Sequence, residues 1–156
     1  LDRSSAASDV YKRQIFGMIE RGGDVKAYHV PHRGTEVLLP TIKEHIDPKS
    51  RIMSDEARVY KKLPRAGYTN TGTVKHGKKH WAHGDVNTNS IESFWALFKR
   101  VHHGTYHTMS KKHLQRYIDE VVFRFNMRPE EMDVVFNEIT MRMAASGKMS
   151  YKTLTA

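Results

Sequence analysis

Two strand-like apolar runs separated by a pair of glycines constrain the fold of this chain most. Residues 15–20 read Ile-Phe-Gly-Met-Ile-Glu, and a second run extends from Val25 to Val30. The four residues between them, Arg21-Gly22-Gly23-Asp24, are typical of a tight turn. The pattern predicts a β-hairpin, which any fold proposed for this chain has to contain.

Helical and strand-like patterns alternate after the hairpin. Residues 35–46 carry apolar side chains at helical spacing, with Thr35 as the expected N-cap and Asp47-Pro48 as a stop signal. The segments that follow are a short strand at 51–54 ending at Asp55, a brief helix at 57–63, a weak strand at 68–76 and a basic, histidine-rich loop at 77–85. This order predicts a mixed α/β domain in which Asp55 lies at the tip of a strand.

A third helix is predicted over residues 87–99. Glu92 and Lys99 are seven residues apart, almost two helical turns, so both charges project from one face beside an apolar stripe. Asn89 and Glu92 have the form of a capping box. We therefore expect one helix to present a carboxylate and an ammonium group together.

Two amphipathic helices are predicted beyond this point. Ser110 is the expected N-cap of the first, which places Lys111 and Lys112 in its first turn and ends before Pro129. The second covers residues 132–143. Lysines at a helix N-terminus oppose the helix dipole, and this arrangement favours a phosphate partner.

Composition narrows the class of protein. The 156 residues fit one domain, and 26 Lys and Arg against 17 Asp and Glu give a formal charge of +9, which favours nucleic acid as a partner. The absence of cysteine excludes disulfides and thiolate metal sites. No apolar run is long enough to span a bilayer and no signal peptide is visible, so we expect a cytoplasmic protein without a membrane partner.

Several motifs taken together resemble one family. They are Phe-Gly-Met-Ile-Glu-Arg at 16–21, Ser-Asp-Glu at 54–56, Asn-Thr-Asn-Ser-Ile-Glu-Ser-Phe-Trp at 87–95, Leu-Phe-Lys-Arg at 97–100, Gly-Thr-Tyr-His at 104–107 and Ser-Lys-Lys-His-Leu-Gln-Arg-Tyr at 110–117. Over residues 15–128 the chain resembles the bacterial, Merlin-related insertion-sequence transposases, whose ISXO-like domain is of the DDE type. The thirty-six residues between Asp55 and Glu92 also resemble the spacing of the last two acidic residues of such enzymes.

The resemblance implies a ribonuclease H-like mixed sheet flanked by helices. It further implies that Asp55 and Glu92 are catalytic carboxylates that bind Mg²⁺, with two divalent cations in the intact enzyme, and that Lys99 is the accompanying basic residue. Asn87 and Asn89 would have supporting roles. The implied partner is DNA, at element ends and target, and the intact transposase is expected to be a homo-oligomer.

Two features depart from the family pattern. In this family the first catalytic residue is an Asp on a strand that would lie upstream of Ile15, in an Asp-Glu-Thr-like context. Residues 1–14 contain no Asp in that context, and they resemble translated adapter sequence. Position 87, where the family usually has His, is Asn87, which cannot transfer a proton. We therefore expect a non-native or disordered segment at 1–14, a partial catalytic core at 15–128 that lacks its first central strand, and a C-terminal amphipathic helix and tail at 129–156. Such an N-terminally truncated chain would be inactive alone.

Other interpretations remain open from the residues themselves. Asp55 could be a solvated turn residue and Glu92 only a capping partner. The chain could then be a non-catalytic basic DNA-binding module, or a ribonuclease H-like nuclease unrelated to transposition. Under the transposase and DNA-binding interpretations, the expected DNA contacts are Lys99, Arg100, Lys111, Lys112 and Arg116.

Overall fold

The computed structural model describes residues 14–74 and 88–147 as a mixed α/β arrangement, which confirms the predicted class. Two short 3₁₀ turns, Tyr60–Lys62 and Pro64–Ala66, lie between the third and fourth strands, and a π-helical turn, His102–Tyr106, continues the second helix. The strands and helices in chain order are β1 (Gln14–Ile19), β2 (Val25–Val30), α1 (Thr35–His45), β3 (Ile52–Ser54), β4 (Thr71–Thr73), α2 (Asn89–Val101), α3 (Leu114–Asn126) and α4 (Met132–Ala145).

The predicted hairpin is confirmed. β1 and β2 pair antiparallel, from Gln14 opposite Val30 to Ile19 opposite Val25. Gly22 adopts a φ of 77°, a conformation that favours glycine, and the Glu20 N–H donates to the Asp24 carbonyl over 3.1 Å to close the turn. Gln14, the last residue of the segment expected to be non-native, is the first residue of β1. Residues 1–13 lie outside the described part of the chain.

Both faces of the hairpin are covered, because side chains alternate between them along each strand. On one face Ile15 and Ile19 pack against the helical cluster, which joins β2 to α2 and α3 and consists of Val25, Ala27, Phe94, Phe98, Met109, Leu114, Ile118, Val121 and Phe125. On the other face lies the α1 cluster, which consists of Phe16, Val30, Leu38, Ile42, Val59, Leu63 and Tyr68. The hairpin is therefore the middle layer between two helical layers.

The outer edge of β2 is capped by two amide side chains of α3. Gln115 Oε1 accepts from the His29 N–H over 2.8 Å, and Gln115 Nε2 donates to the Ala27 carbonyl over 3.2 Å. Asn126 bonds both backbone groups of Val25, at 2.9 and 3.0 Å. These bonds satisfy backbone groups that would otherwise form an open sheet edge.

The β1 edge of the hairpin differs from the β2 edge. Within residues 14–74 and 88–147 no further strand pairs with β1, and the parallel pair of β3 and β4 forms a separate two-stranded sheet, with Ile52 opposite Thr71. The expected first central strand would belong beside β1. That expectation concerns residues outside the described ranges and stays a prediction.

The β3–β4 region contains less regular secondary structure than its sequence pattern predicts. The brief helix expected at 57–63 is replaced by the two 3₁₀ turns, the second of which begins at Pro64. The strand expected at 68–76 is reduced to Thr71–Thr73. Tyr68 is buried instead, and its hydroxyl donates to the Ile46 carbonyl over 2.9 Å, which ties this region to the end of α1.

Three predicted helix starts are wrong. The N-cap of α1 is Gly34 and not Thr35, which is the first helical residue. α2 begins at Asn89, so Asn89 cannot cap it, and the predicted capping box with Glu92 is not formed. α3 begins at Leu114 with His113 as its N-cap, so Lys111 and Lys112 lie in the turn before the helix, where Ser110 Oγ accepts from the His113 N–H over 3.3 Å. Each segment offers several polar residues in a row, and the sequence does not decide between neighbouring caps.

α4 forms where the last helix is predicted, but none of its residues is buried. Six large apolar side chains on α4 are 40% to 80% exposed, namely Met132, Val134, Phe136, Ile139, Met141 and Met143. Arg142 lies over the ring of Phe123 at 4.8 Å, which links α4 to α3. The apolar stripe expected on this helix is therefore present but uncovered.

Candidate functional site

Asp55 lies at the carboxyl end of β3, as the sequence predicts. Its side chain is exposed, and Oδ1 accepts a hydrogen bond from the Ala57 N–H over 3.0 Å. The preceding residue, Ser54, is buried, and its carbonyl accepts from the Val74 N–H over 2.9 Å. A buried strand end thus holds the backbone while the carboxylate remains accessible to solvent.

Tyr60 lies within electrostatic reach of Asp55. Burial, with a further contribution from the Asp55 carboxylate, raises the pKa of the Tyr60 phenol to about 12. The phenol therefore stays protonated near neutral pH. Since Tyr60 opens the first 3₁₀ turn, Asp55 lies near the start of that turn.

Glu92 is exposed in the first turn of α2. Its Oε1 accepts a hydrogen bond from the Thr88 hydroxyl over 2.7 Å, and its N–H donates to the Thr88 carbonyl over 3.1 Å. Thr88 is therefore a hydrogen-bonding partner of Glu92 at the helix start. A carboxylate at a helix N-terminus is also favoured by the helix dipole.

Glu92 and Lys99 line one surface groove, as their seven-residue spacing predicts. Lys99 is exposed in the last turn of α2, and the residues lining the groove are Ile15, Glu92, Trp95, Ala96, Phe98 and Lys99. Its other lining residues are apolar, and the two charged groups lie almost two turns apart on one helix. Because Ile15 belongs to β1, the groove borders the hairpin.

Gly17 determines how closely α2 approaches the hairpin. A Cβ atom built on Gly17 would lie 2.8 Å from Trp95 Cζ2 and 3.3 Å from Ile91 Cδ1. The first distance is shorter than van der Waals contact, so the indole ring occupies space that a side chain at position 17 would fill. The close contact between α2 and β1 places Glu92, one turn before Trp95, beside β1.

The other predicted site residues are distributed as follows. Asn87 lies outside the described residues, Asn89 is exposed at the first position of α2, and Asp55 is not among the residues that line the Glu92–Lys99 groove. Among residues 14–74 and 88–147, no group of three or more His, Asp or Glu side chains is arranged to hold a metal ion. The basic residues Arg100, Lys111, Lys112 and Arg116 are all exposed.

A set of basic residues was missed by reasoning from the sequence. Arg58, Lys61, Lys62 and Arg65 are exposed along the two 3₁₀ turns that follow Asp55, while Val59 and Leu63 on the same segment are buried. The spacing of the four cations, at i, i+3, i+4 and i+7, is readable in the sequence. The pattern is easily overlooked because the segment resembles only a short helix closed by Pro64.

Comparisons with known proteins agree on a class. Residues 2–126 match the family model described as the ISXO2-like transposase domain. An uncharacterized transposase-like protein of Haemophilus influenzae is 31% identical over 97 residues, which are 62% of this chain and 76% of that protein. No solved structure matches the chain.

The family model is that of a transposase domain, and the relative is described as transposase-like. The chain belongs to the ISXO2-like transposase domain family, and the resemblance seen in the sequence is confirmed. Asp55, Glu92 and Lys99 all lie within the matched residues. None of the helices in the described part of the chain is long and apolar enough to cross a membrane.

Proposed function

We propose that this chain is the larger part of a DDE-type transposase catalytic domain, which performs Mg²⁺-dependent phosphodiester hydrolysis and strand transfer at insertion-sequence ends. The observation that carries the proposal is the groove in which Glu92 and Lys99 lie together beside β1, in a chain of this family. Asp55, at the end of β3, is the second catalytic carboxylate of the proposal.

A ribonuclease H-like architecture is part of the same proposal. The order of elements supports it: an antiparallel hairpin, a helix, a parallel pair of strands and then the helix with Glu92. Helices pack on both faces of the hairpin, as in other layered α/β folds.

The donor chemistry of these residues fits Mg²⁺. The cation prefers hard oxygen ligands and is commonly held by one or two protein carboxylates together with water and substrate phosphates. Asp55 and Glu92 provide such carboxylates, and both are exposed. Magnesium, when bound, supplies positive charge that activates the attacking oxygen and stabilises the leaving one.

The remaining residues act by binding and orienting. The hydrogen bond from Thr88 restricts the rotamers of Glu92, and the bond from the Ala57 N–H does the same for Asp55. Lys99 offers an ammonium group to a phosphate in the groove. Asn87 and Asn89 are proposed to support substrate binding. Because no Asp at 1–14 has the context of the first catalytic residue, we expect the isolated chain to lack strand transfer.

The test is to supply the missing carboxylate. The chain is extended with the upstream strand of a relative and assayed for strand transfer in Mg²⁺, alongside Asp55→Asn and Glu92→Gln in the extended protein. We expect the extension to restore activity and each substitution to lower it by at least about a hundredfold, since each removes a charge and keeps the side-chain size.

The structure offers matched controls for both substitutions. Asp47 is exposed and accepts from the Lys49 N–H over 2.7 Å in the same type of turn as Asp55, so Asp47→Asn is its control. Glu36 is exposed in the first turn of α1, so Glu36→Gln is the control for Glu92. Full activity of Asp55→Asn or Glu92→Gln would show that the acids are wrongly assigned, and cleavage without strand transfer would favour the nuclease alternative.

We also propose that α4 joins two copies of the chain. Four of the six exposed side chains, Met132, Phe136, Ile139 and Met143, share one face of α4 by helical periodicity, and an uncovered apolar face of this kind marks an interaction site. If each of the four contributes roughly 100 Å², two copies would bury roughly 800 Å², which is the size of a weak, transient interface. This surface would supply the homo-oligomer expected for the family.

A further inference from the structure

The two 3₁₀ turns after Asp55 carry a basic face. It consists of Arg58, Lys61, Lys62 and Arg65, all of which are exposed. Arg58 lies just before the first turn, Lys61 and Lys62 lie in it, and Arg65 lies in the second. Val59 and Leu63, 6% and 0% exposed, are buried in the α1 cluster and anchor the opposite side of the segment.

The basic face is followed by a stretch of sequence without acidic residues. Between Glu56 and Asp85 the sequence contains no Asp or Glu, whereas seven Lys or Arg occur there, namely Arg58, Lys61, Lys62, Arg65, Lys75, Lys78 and Lys79. The ion pairs found in residues 14–74 and 88–147 involve none of the four residues of the basic face. Like charges held three and four residues apart repel each other, and a polyanion would relieve that repulsion.

The basic face adjoins a proposed catalytic carboxylate. Asp55 is three residues before Arg58, and its carboxylate accepts from the Ala57 N–H at the start of the turns. The same carboxylate acts on the phenol of Tyr60, which lies between Arg58 and Lys61 in the sequence. A polyanion that binds along this face would therefore be directed toward Asp55.

We propose that the basic face is a docking surface for the phosphate backbone of duplex DNA, through which the strand to be cut or joined is led to Asp55. The proposal rests on the proposed function and adds a specific surface to it. At about 1.5–2.0 Å per residue in helical turns, the face extends over about 10–14 Å, and one DNA strand carries about three or four phosphates over that length of the duplex axis. Four cations thus meet about three or four phosphates.

The experiment measures how DNA binding depends on salt. Binding of the 156-residue chain to a fluorescein-labelled duplex is followed by fluorescence anisotropy at several NaCl concentrations. The test variant is Arg58→Gln, Lys61→Gln, Lys62→Gln and Arg65→Gln combined, and two double variants, Arg58→Gln with Lys61→Gln and Lys62→Gln with Arg65→Gln, keep the test valid should the fourfold change impair folding.

A control with the same change in net charge is available elsewhere on the surface. It replaces the exposed residues Lys26, Arg33, Lys43 and Lys49 by Gln. Each phosphate that the protein no longer neutralises should reduce the slope of log K against log salt by about 0.9, so the fourfold variant should show a slope smaller by up to about 3.6 and each double variant by up to about 1.8. The control should keep the slope of the parent chain.

The outcomes separate this proposal from the proposed function. Salt-dependent binding by the parent chain, with equal slopes in test and control variants, would overturn the basic face and leave the transposase proposal intact. Absence of salt-dependent binding by the parent chain would count against both. Equal or tighter binding to single-stranded RNA of the same length, abolished in the same variant, would also overturn duplex DNA as the occupant.

Discussion

Replacing Gly17 by alanine should push α2 away from the hairpin and destabilise the protein. The new Cβ would lie 2.8 Å from Trp95 Cζ2 and 3.1 Å from Trp95 Cη2. The indole cannot simply rotate away, because Trp95 also packs edge-on against Phe94 and Phe98, at centroid distances of 5.0 and 6.4 Å. Either the ring leaves its position or the helix shifts.

The magnitude follows from two opposing effects. Inserting a methyl group into a well-packed site costs about 1–3 kcal/mol, whereas removing a glycine restricts the unfolded chain and stabilises by about 0.4–1 kcal/mol. The net decrease should be about 1–2 kcal/mol in the free energy of unfolding. For a domain of this size it corresponds to a fall of about 2–8 °C in Tm.

A double-mutant cycle isolates the contact. Gly17→Ala is made in the parent chain and in Trp95→Phe, whose ring lacks the two atoms nearest to the new methyl group, and urea unfolding is followed by far-UV circular dichroism. We expect Gly17→Ala to be nearly neutral in the Trp95→Phe background, which gives a coupling energy of about 1 kcal/mol or more. Equal destabilisation in both backgrounds would refute the reasoning that the indole excludes a side chain at position 17.

Two further predictions concern pH and self-association. Burial raises the pKa of Tyr60 to about 12, so between pH 10 and 12 the unfolded chain releases a proton that the folded chain keeps. Stability should fall there by up to about 1.4 kcal/mol per pH unit, and Tyr60→Phe should reduce that slope in urea titrations, an unchanged slope being the contrary result. Phe136→Gln with Met143→Gln should lower the fraction of dimer, and with it the weight-average sedimentation coefficient, while Glu138→Gln on the other side of α4 should not. A parent chain that sediments as a monomer at about 100 μM would contradict the α4 interface.

The sequence predicts the hairpin and the position of Asp55 because both depend on local pattern. A glycine pair between two apolar runs is compatible with few structures other than a β-hairpin. A short β-compatible stretch that ends in Ser54-Asp55 places the acid at the strand end. The shared face of Glu92 and Lys99 is equally local, since it needs only helical periodicity over seven residues. These features could be read without knowledge of the tertiary structure.

Features that depend on distant residues could not be read in this way. Asn126 pairs with Val25 across 101 positions, and Gln115 pairs with His29 across 86. In sequence, both amides appear as ordinary polar residues of an amphipathic helix. The contact between Gly17 and Trp95 is similar. A glycine in a strand pattern indicates that another part of the chain approaches closely, but the sequence does not identify that part.

The helix starts show a different kind of limit. In the run Asn87-Thr88-Asn89-Ser90 every residue is an acceptable N-cap, and the energies of neighbouring choices differ by less than the effect of tertiary packing. α2 begins at Asn89, and its Phe94 and Phe98 pack in the helical cluster. This packing fixes the position of the helix, and with Thr88 as the N-cap the Thr88 hydroxyl donates to Glu92. The packing of the core therefore influences the contacts of the carboxylate.

β1 is the element on which the relative placement of Asp55 and Glu92 depends. Its Phe16 packs into the α1 cluster, which also holds Val59 and Leu63 just beyond Asp55, while Gly17 on the opposite face meets α2 just beyond Glu92. A slip of one residue in the pairing of β1 would exchange these two faces and separate both acids from their supports. The alternation of side chains along β1 therefore links the helical cluster to the α1 cluster, which have no helix in common. A strand paired along β1 would hold β1 in register and strengthen that link.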